Sequence, residues 1–109
     1  MFYKHTMSLY HKGKKYKDKI NQVHYTKEKH IANFKCDIQP LTREKAEKVF
    51  GITQDCTNVI YMDLNPILIP NEHMLKRLGR TYEILRIIEW EEEEDPDFNY
   101  REVILNEIH

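Results

Sequence analysis

Six histidines and two cysteines are the side chains of this chain best suited to hold a metal ion. No two of the histidines form an HxxxH or HExxH motif. On one face of a strand His5 and His11 would stand too far apart to share an ion unaided. Cys36 and Cys56 are widely spaced and form no CxxC motif, which favours two reduced thiols over a disulfide. We therefore predict no metal site. The histidines are His5, His11, His24, His30, His73 and His109.

Catalytic chemistry has equally little support. Ser8 is the only serine, and neither it nor the two cysteines lie in a nucleophile motif. The many carboxylates of residues 36–109 offer no distinguishable acid–base pair, and the acidic run 91–97 is typical of a solvated turn. The few glycines form no phosphate-binding loop. We predict that the protein is not an enzyme and uses no cofactor.

Charge is distributed unevenly along the chain. The formal net charge is −1, but residues 1–35 carry +7 and residues 36–109 carry −8. Such polarity suits head-to-tail packing of copies or a basic face near nucleic acid. A run of lysines beside tyrosines could follow a DNA backbone or protect an edge strand from unwanted pairing. It lacks the arginine that reads base edges, so we expect at most non-specific contact with DNA. These lysines are Lys12, Lys14, Lys15, Lys17 and Lys19.

Alternation of apolar and polar residues predicts the strands of the N-terminal half. Residues 6–11 alternate, and a turn at Gly13 leads into a second, lysine-rich strand around residues 16–25. Residues 32–39 alternate more cleanly, as expected of a half-buried strand.

A charged helix or loop insertion is predicted at about residues 41–58. Thr42 is a suitable N-cap, and Ala46, Val49 and Phe50 would form an apolar stripe before a glycine ends the helix. A helix of about two turns needs support from tertiary contacts.

The C-terminal half is rich in β-branched and aromatic residues, which favour strands. We predict strands at residues 57–64, 74–78, 81–90 and 100–108. Residues 82–94 would also tolerate a helix, although their branched and aromatic content favours a strand.

The sequence therefore predicts a mainly β protein, a small antiparallel β-barrel or sandwich of six to seven strands with one short helix. The length allows one core, so we expect a single domain over residues 1–109. No stretch is long and apolar enough to span a bilayer, and no secretion signal is recognisable. We therefore expect a cytoplasmic protein without a membrane partner.

The segment Phe34–Glu44, FKCDIQPLTRE, resembles the head-closure or head–tail connector (stopper) proteins of tailed phages. In that family a strand ending in QP-[IL]-[ST]-x-E leads into a variable charged segment and a returning strand similar to residues 57–63. A Gly-x-x-[YF] turn similar to Gly79–Tyr82 and a strand similar to residues 83–90 follow. The resemblance covers most of the chain through short motifs. The acidic run 91–97 and the lysine-rich N-terminal segment depart from it.

The resemblance implies a ring of identical subunits below the portal vertex of a phage or prophage, which retains packaged DNA and forms the platform for tail attachment. The implied partners are copies of itself, a portal or adaptor protein on one side and a tail protein on the other. The implied location is the host cytoplasm during assembly and then the neck of the virion. In the family the charged segment can line or plug the channel. The corresponding candidates are Arg43, Glu44, Lys45, Glu47 and Lys48.

Two other functions stay open from the residues alone. A small nucleic-acid-binding β-barrel would use the lysines of residues 12–19. A metal-dependent or thiol enzyme would need a stoichiometric metal or a reactive Cys36 or Cys56.

Overall fold

Eight strands and one short helix make up the computed structural model, which describes residues 3–13, 15–17, 19–25, 27–51, 55–90 and 99–108, with the backbone alone for 15–17 and 23–25. Six strands close an antiparallel barrel in the order β1-β4-β5-β8-β7-β6, and β2 and β3 form a separate two-stranded sheet. The strands are β1 (His5–His11), β2 (Lys15–Lys17), β3 (Val23–Tyr25), β4 (Lys29–Pro40), β5 (Asn58–Met62), β6 (His73–Arg77), β7 (Arg80–Trp90) and β8 (Tyr100–Ile108).

The predicted fold class is confirmed, since the protein is mainly β with a six-stranded antiparallel barrel and one short helix. The prediction of one lysine-rich strand over residues 16–25 is wrong. A turn at residues 19–22 divides this segment, with Asn21 in the left-handed region at φ 62°, a conformation that asparagine tolerates. β1 pairs instead with β4 and β6, so it forms no hairpin with the lysine-rich segment through Gly13, and β2 and β3 pair with each other.

The barrel interior is filled by alternate side chains of all six strands. Met7 and Leu9 enter from β1, and Leu75 from β6, and all are almost fully buried. The remaining buried members are Phe34, Cys36, Ile60, Met62, Leu68, Tyr82, Ile84, Val103 and Leu105. Alternation therefore leaves the intervening residues on the outer surface of the barrel.

A bulge in β7 explains why its apolar residues do not alternate. The register with β8 shifts between Ile84 and Arg86, which leaves Leu85 as the extra residue. Ile84 and Ile87 both contact the interior core, whereas Leu85 packs in a second cluster outside the barrel. The bulge thus lets one strand contribute apolar side chains to both cores.

The helix, α1, is α-helical over Arg43–Lys45 and π-helical over Ala46–Phe50. As predicted, Thr42 is its N-cap, and its Oγ1 accepts a hydrogen bond from the backbone N–H of Lys45 at 3.2 Å. The helix ends at Gly51, which has φ 64° and is favoured there because it lacks a Cβ. The predicted apolar stripe is only partly correct, since Ala46 is buried but Val49 is 62 % exposed.

The β6–β7 hairpin turns through two residues with positive φ, Leu78 at 51° and Gly79 at 77°. This backbone matches a type I′ turn, in which Asn-Gly is the favoured sequence. A leucine side chain is sterically unfavourable at a positive φ. Leu78 is also 82 % exposed, so packing contacts do little to offset this cost.

We expect Leu78→Asn to raise the free energy of unfolding by roughly 0.5–1 kcal/mol, because asparagine tolerates positive φ better than leucine. Urea denaturation should show a higher midpoint with an unchanged m-value. Leu78→Ala removes the same exposed apolar side chain without this tolerance and serves as the control. Equal midpoints for the two variants would contradict the turn argument.

Candidate interaction surface

The helix covers one part of the outer barrel surface. Leu41 and Ala46 pack on Val59 of β5 and Ile104 of β8, forming a second core outside the barrel. Arg86 on β7 fixes the end of the helix, since its Nη1 donates a hydrogen bond to the Phe50 carbonyl at 2.9 Å. A cation near the last carbonyls of a helix is favourable. The helix therefore sits on β5, β7 and β8.

Beyond the helix, the same outer surface carries a second group of apolar side chains. Cross-strand pairing places Ile88 opposite Glu102 and Trp90 opposite Tyr100 on the face that also carries Arg86 and Ile104. Tyr61 of β5 pairs with Glu102 and shares this face. We call the four apolar side chains, Tyr61, Ile88, Tyr100 and Trp90, the aromatic face.

The rings of the aromatic face contact one another. The Trp90 and Tyr100 ring centroids are 6.4 Å apart with 24° between the ring planes, and Tyr61 and Tyr100 are also 6.4 Å apart. Trp90 is the single tryptophan of the chain and is 51 % exposed. Packed rings with one exposed member are a surface typical of protein contacts, where tryptophan and tyrosine contribute most of the affinity.

Carboxylates surround the aromatic face, and we call Asp37, Asp63 and Glu102 its acidic rim. Burial first, and then Glu102, Tyr100 and Asp37, raise the pKa of Tyr61. Burial and Asp63 raise the pKa of Tyr3 to about 12. Both phenols therefore stay protonated at neutral pH and can donate hydrogen bonds. These carboxylates place negative charges beside the rings, and a basic partner can pair with them.

The charged candidates of the helix lie outward from its packed side. Arg43, Glu44, Lys45, Glu47 and Lys48 are all exposed. Arg43 Nε lies 3.4 Å from Glu47 Oε1 and Lys48 Nζ 2.7 Å from Glu44 Oε1, pairs spaced four residues apart as expected on a helix. The structure brings these five residues together on one surface. A position facing a channel stays a prediction.

The lysine candidates of the N-terminal segment lie around the β2–β3 sheet. Lys12 follows β1 and is half-buried, and its backbone N–H donates a hydrogen bond to the backbone carbonyl of Glu72 at 2.8 Å. Lys19 is exposed in the turn between β2 and β3. Lys15 and Lys17 belong to β2, and Lys14 lies outside the described residues.

Metal-binding side chains stay dispersed in the described part of the chain, where no group of three or more histidines, cysteines or carboxylates could hold an ion. His11 and His73 come together across the β1–β6 ladder, with ring centroids 5.8 Å apart. Cys36 and Cys56 are both free thiols. Burial raises the pKa of Cys36 to about 11 and also raises that of Cys56, so both are thiols rather than nucleophilic thiolates at neutral pH.

Comparison with models of known protein families and with curated proteins finds no match to this chain. In the described residues, no helix has the length and apolar character needed to cross a membrane. Evidence for function therefore comes from the surface of the protein.

Sequence reasoning missed the aromatic face. The sequence signal was present, because Trp90 and Tyr100 flank the acidic run at the ends of two predicted strands. Two such strands joined by a turn pair as a hairpin, which would have placed both rings opposite each other. The bulge at Leu85 could not be read from the pattern, and it determines that Ile88 joins them.

His73 makes the stability of the barrel depend on pH. Its Nδ1 accepts a hydrogen bond from the Ile69 N–H at 2.9 Å, and burial together with His11 lowers its pKa, only partly offset by Glu72. The unfolded chain therefore takes up the proton at a higher pH than the folded protein. Stability is complete above the ordinary histidine pKa of about 6.5 and declines as the pH falls through and below it.

We expect His73→Asn to flatten this decline, because the asparagine Oδ1 can accept the Ile69 N–H without titrating. Urea denaturation from about pH 8 to about pH 5 should show a larger loss of stability for the parent than for the variant. His30→Asn, on the exposed part of β4, is the matched control and should follow the parent. A steeper decline in His73→Asn would contradict the assignment.

Proposed function

We propose that the protein is a structural subunit of a phage or prophage head–tail connector, a head-closure ring component. In this role copies assemble side by side, help to retain packaged DNA and form the platform for tail attachment. The resemblance at Phe34–Glu44 supports this proposal, as does the barrel that carries the motif. The observation that carries it is an aromatic face with a half-exposed Trp90 and an acidic rim, opposite a lysine-rich side of the same barrel in the strand order.

The two sides are opposite because of the strand order. In the cycle β1-β4-β5-β8-β7-β6, β1 lies three strands from β8 in either direction. The aromatic face is carried by β5, β7 and β8. The connection from β1 to β4 and the first residue of β4 carry the described lysines of the opposite side. These are Lys12, Lys19, Lys27 and Lys29, the last three exposed.

Complementary patches on opposite sides favour a head-to-tail contact. When one patch binds a different patch of the next copy, the assembly closes into a ring if the rotation between copies permits. Lysine ammonium groups can lie on the faces of Trp90 and Tyr100 and pair with the rim carboxylates. We therefore infer that the aromatic face of one copy contacts the lysine-rich connection of the next.

The nucleic-acid-binding alternative rests on the same lysines. The described rings beside them are Tyr10 and His30, which contact each other edge to face with centroids 5.2 Å apart. The side chains of Tyr16 and Tyr25 lie outside what the structure describes. The rings of the aromatic face have the carboxylates of its acidic rim beside them, which repel a phosphate backbone. This arrangement favours a protein partner for the aromatic face.

We expect Trp90→Ser and Tyr100→Ser to weaken self-association, since truncating a central aromatic residue of an interface typically costs about 2 kcal/mol or more. Sedimentation velocity over rising protein concentration, at low and high salt, measures the effect. The parent should associate reversibly, and salt should weaken the association.

Leu78→Ser is the control, because it removes an exposed apolar side chain at the opposite end of β7. It should associate like the parent. Electron microscopy of the parent mixed with a portal ring from the same phage should show an added ring of density. Parent protein that stays monomeric at every concentration and adds nothing to the portal ring would contradict the proposal.

A further inference from the structure

A polar pocket of about 400 Å³ opens at the β6–β7 turn, away from the aromatic face. This volume lies in the range of roughly 300–1,000 Å³ that is typical of ligand pockets. Three cationic side chains and three hydroxyl groups line it, and no carboxylate is among its described lining residues. The cations are Lys76, Arg77 and Arg80, and the hydroxyls belong to Ser8, Tyr10 and Thr81.

Two of the cations are direct neighbours across the hairpin. Arg77 and Arg80 are register partners that flank the two-residue turn. Like charges directly opposite each other on adjacent strands destabilise the pairing. An anion held between the two guanidinium groups would remove this repulsion, and each planar fork can bind phosphate oxygens through two parallel hydrogen bonds.

Only part of the positive charge is balanced within the protein. Lys76 forms an ion pair with Glu28 and lies 4.7 Å above the Tyr10 ring, and Arg80 Nε lies 3.5 Å from Glu107 Oε1. Arg77 forms no ion pair or hydrogen bond with the described residues. Among the described residues no carboxylate pairs with Arg77, so this guanidinium is available for the single negative charge of a phosphodiester.

The surroundings of the pocket favour a chain of phosphates over an isolated one. Ser8 lies on the outer surface of β1, where it pairs with Asn33 of β4 at 2.9 Å. Next to it Lys35 Nζ donates to Thr6 Oγ1 and is exposed. The next phosphate of a bound nucleic-acid strand would thus meet the ammonium group of Lys35. Contacts of this kind with the sugar–phosphate backbone bind nucleic acid without regard to its base sequence.

We propose that this pocket binds a phosphate group of a nucleic-acid backbone, with Arg77 and Arg80 as the principal contacts. The site is distinct from the lysines of residues 12–19. It uses neither the aromatic face nor the lysine-rich connection, so it holds whether or not copies of the chain form a ring.

The test compares Arg77→Gln/Arg80→Gln with Arg43→Gln/Lys48→Gln, a control that removes the same net charge from the exposed helix surface. Fluorescence anisotropy with labelled duplex and single-stranded oligonucleotides, across a salt series, measures affinity. We expect the pocket variant to lose roughly tenfold or more in affinity. Its salt slope should fall by about 1, the value for one phosphate contact. The control should stay near the parent.

Arg77→Lys/Arg80→Lys retains the charge but not the forked geometry, and it should bind with intermediate affinity. Thermal unfolding without ligand checks the fold, and the glutamine variant should be at least as stable as the parent because the repulsion is gone. Titration of the parent with inorganic phosphate should shift the NMR signals of the Arg77 and Arg80 side-chain N–H groups. This arm shows that the phosphate group itself is recognised.

Three results would overturn the proposal. The first is no measurable oligonucleotide binding by the parent at low salt. The second is an equal loss of affinity in the pocket variant and the helix control, which would mean that oligonucleotide binding depends on net charge alone. The third is tighter binding of a poly-glutamate peptide than of the oligonucleotides, which would assign the pocket to an acidic protein segment.

Discussion

The ladder between β1 and β6 is the constraint on which the rest of the structure depends. It pairs Ser8–His11 with His73–Lys76 and thereby joins the two ends of the sheet into a closed barrel. Closure satisfies the backbone groups of both strands within the protein, so these segments offer no edge for a neighbouring chain to pair with. Along this ladder a partner can contact only side chains of the outer surface, so the chemistry of that surface matters for function.

The outer surface is divided by the helix. Ala46 and Leu41 bury Ile104 and Val59, and the Leu85 bulge adds a third strand to this second core. Without the helix, the apolar residues on β5, β7 and β8 would form one large exposed patch, which soluble proteins avoid unless it binds a partner. The helix covers part of the patch, and Tyr61 packs against the edge of this second core. In the described residues Ile88, Tyr100 and Trp90 lie beyond the helix on the same face. The covered part stabilises the fold, and the part beyond the helix remains available for contact.

Local signals were enough to predict most of the fold. Alternation predicted β4, β-branched and aromatic content predicted β8, and Thr42 with Gly51 defined the helix, because these signals lie within a few residues of one another. Two features depended on long-range pairing and escaped prediction. The lysine-rich segment forms its own small sheet because β4 and β6 occupy both sides of β1. The bulge that turns Leu85 outward reflects packing against a helix that lies far away in the sequence.

The candidate surfaces were less predictable than the fold. The lysine run was visible in the sequence as a charge pattern, whereas the arginine pair at the β6–β7 turn became a site only when the register placed Arg77 opposite Arg80. The aromatic face likewise depends on the register of β7 with β8, which sets Trp90 against Tyr100. Side chains that meet across strands are determined by register, and composition alone does not reveal it.

Acrylamide quenching of Trp90 fluorescence tests the central claim most directly, because this residue is the single tryptophan and lies on the aromatic face. The measurement compares the free subunit with the same protein assembled on a portal ring and separated from unbound protein. The account predicts a shift of the emission to shorter wavelength and weaker quenching in the assembled protein, since the indole becomes covered. Unchanged emission and quenching in a fully assembled ring would contradict it.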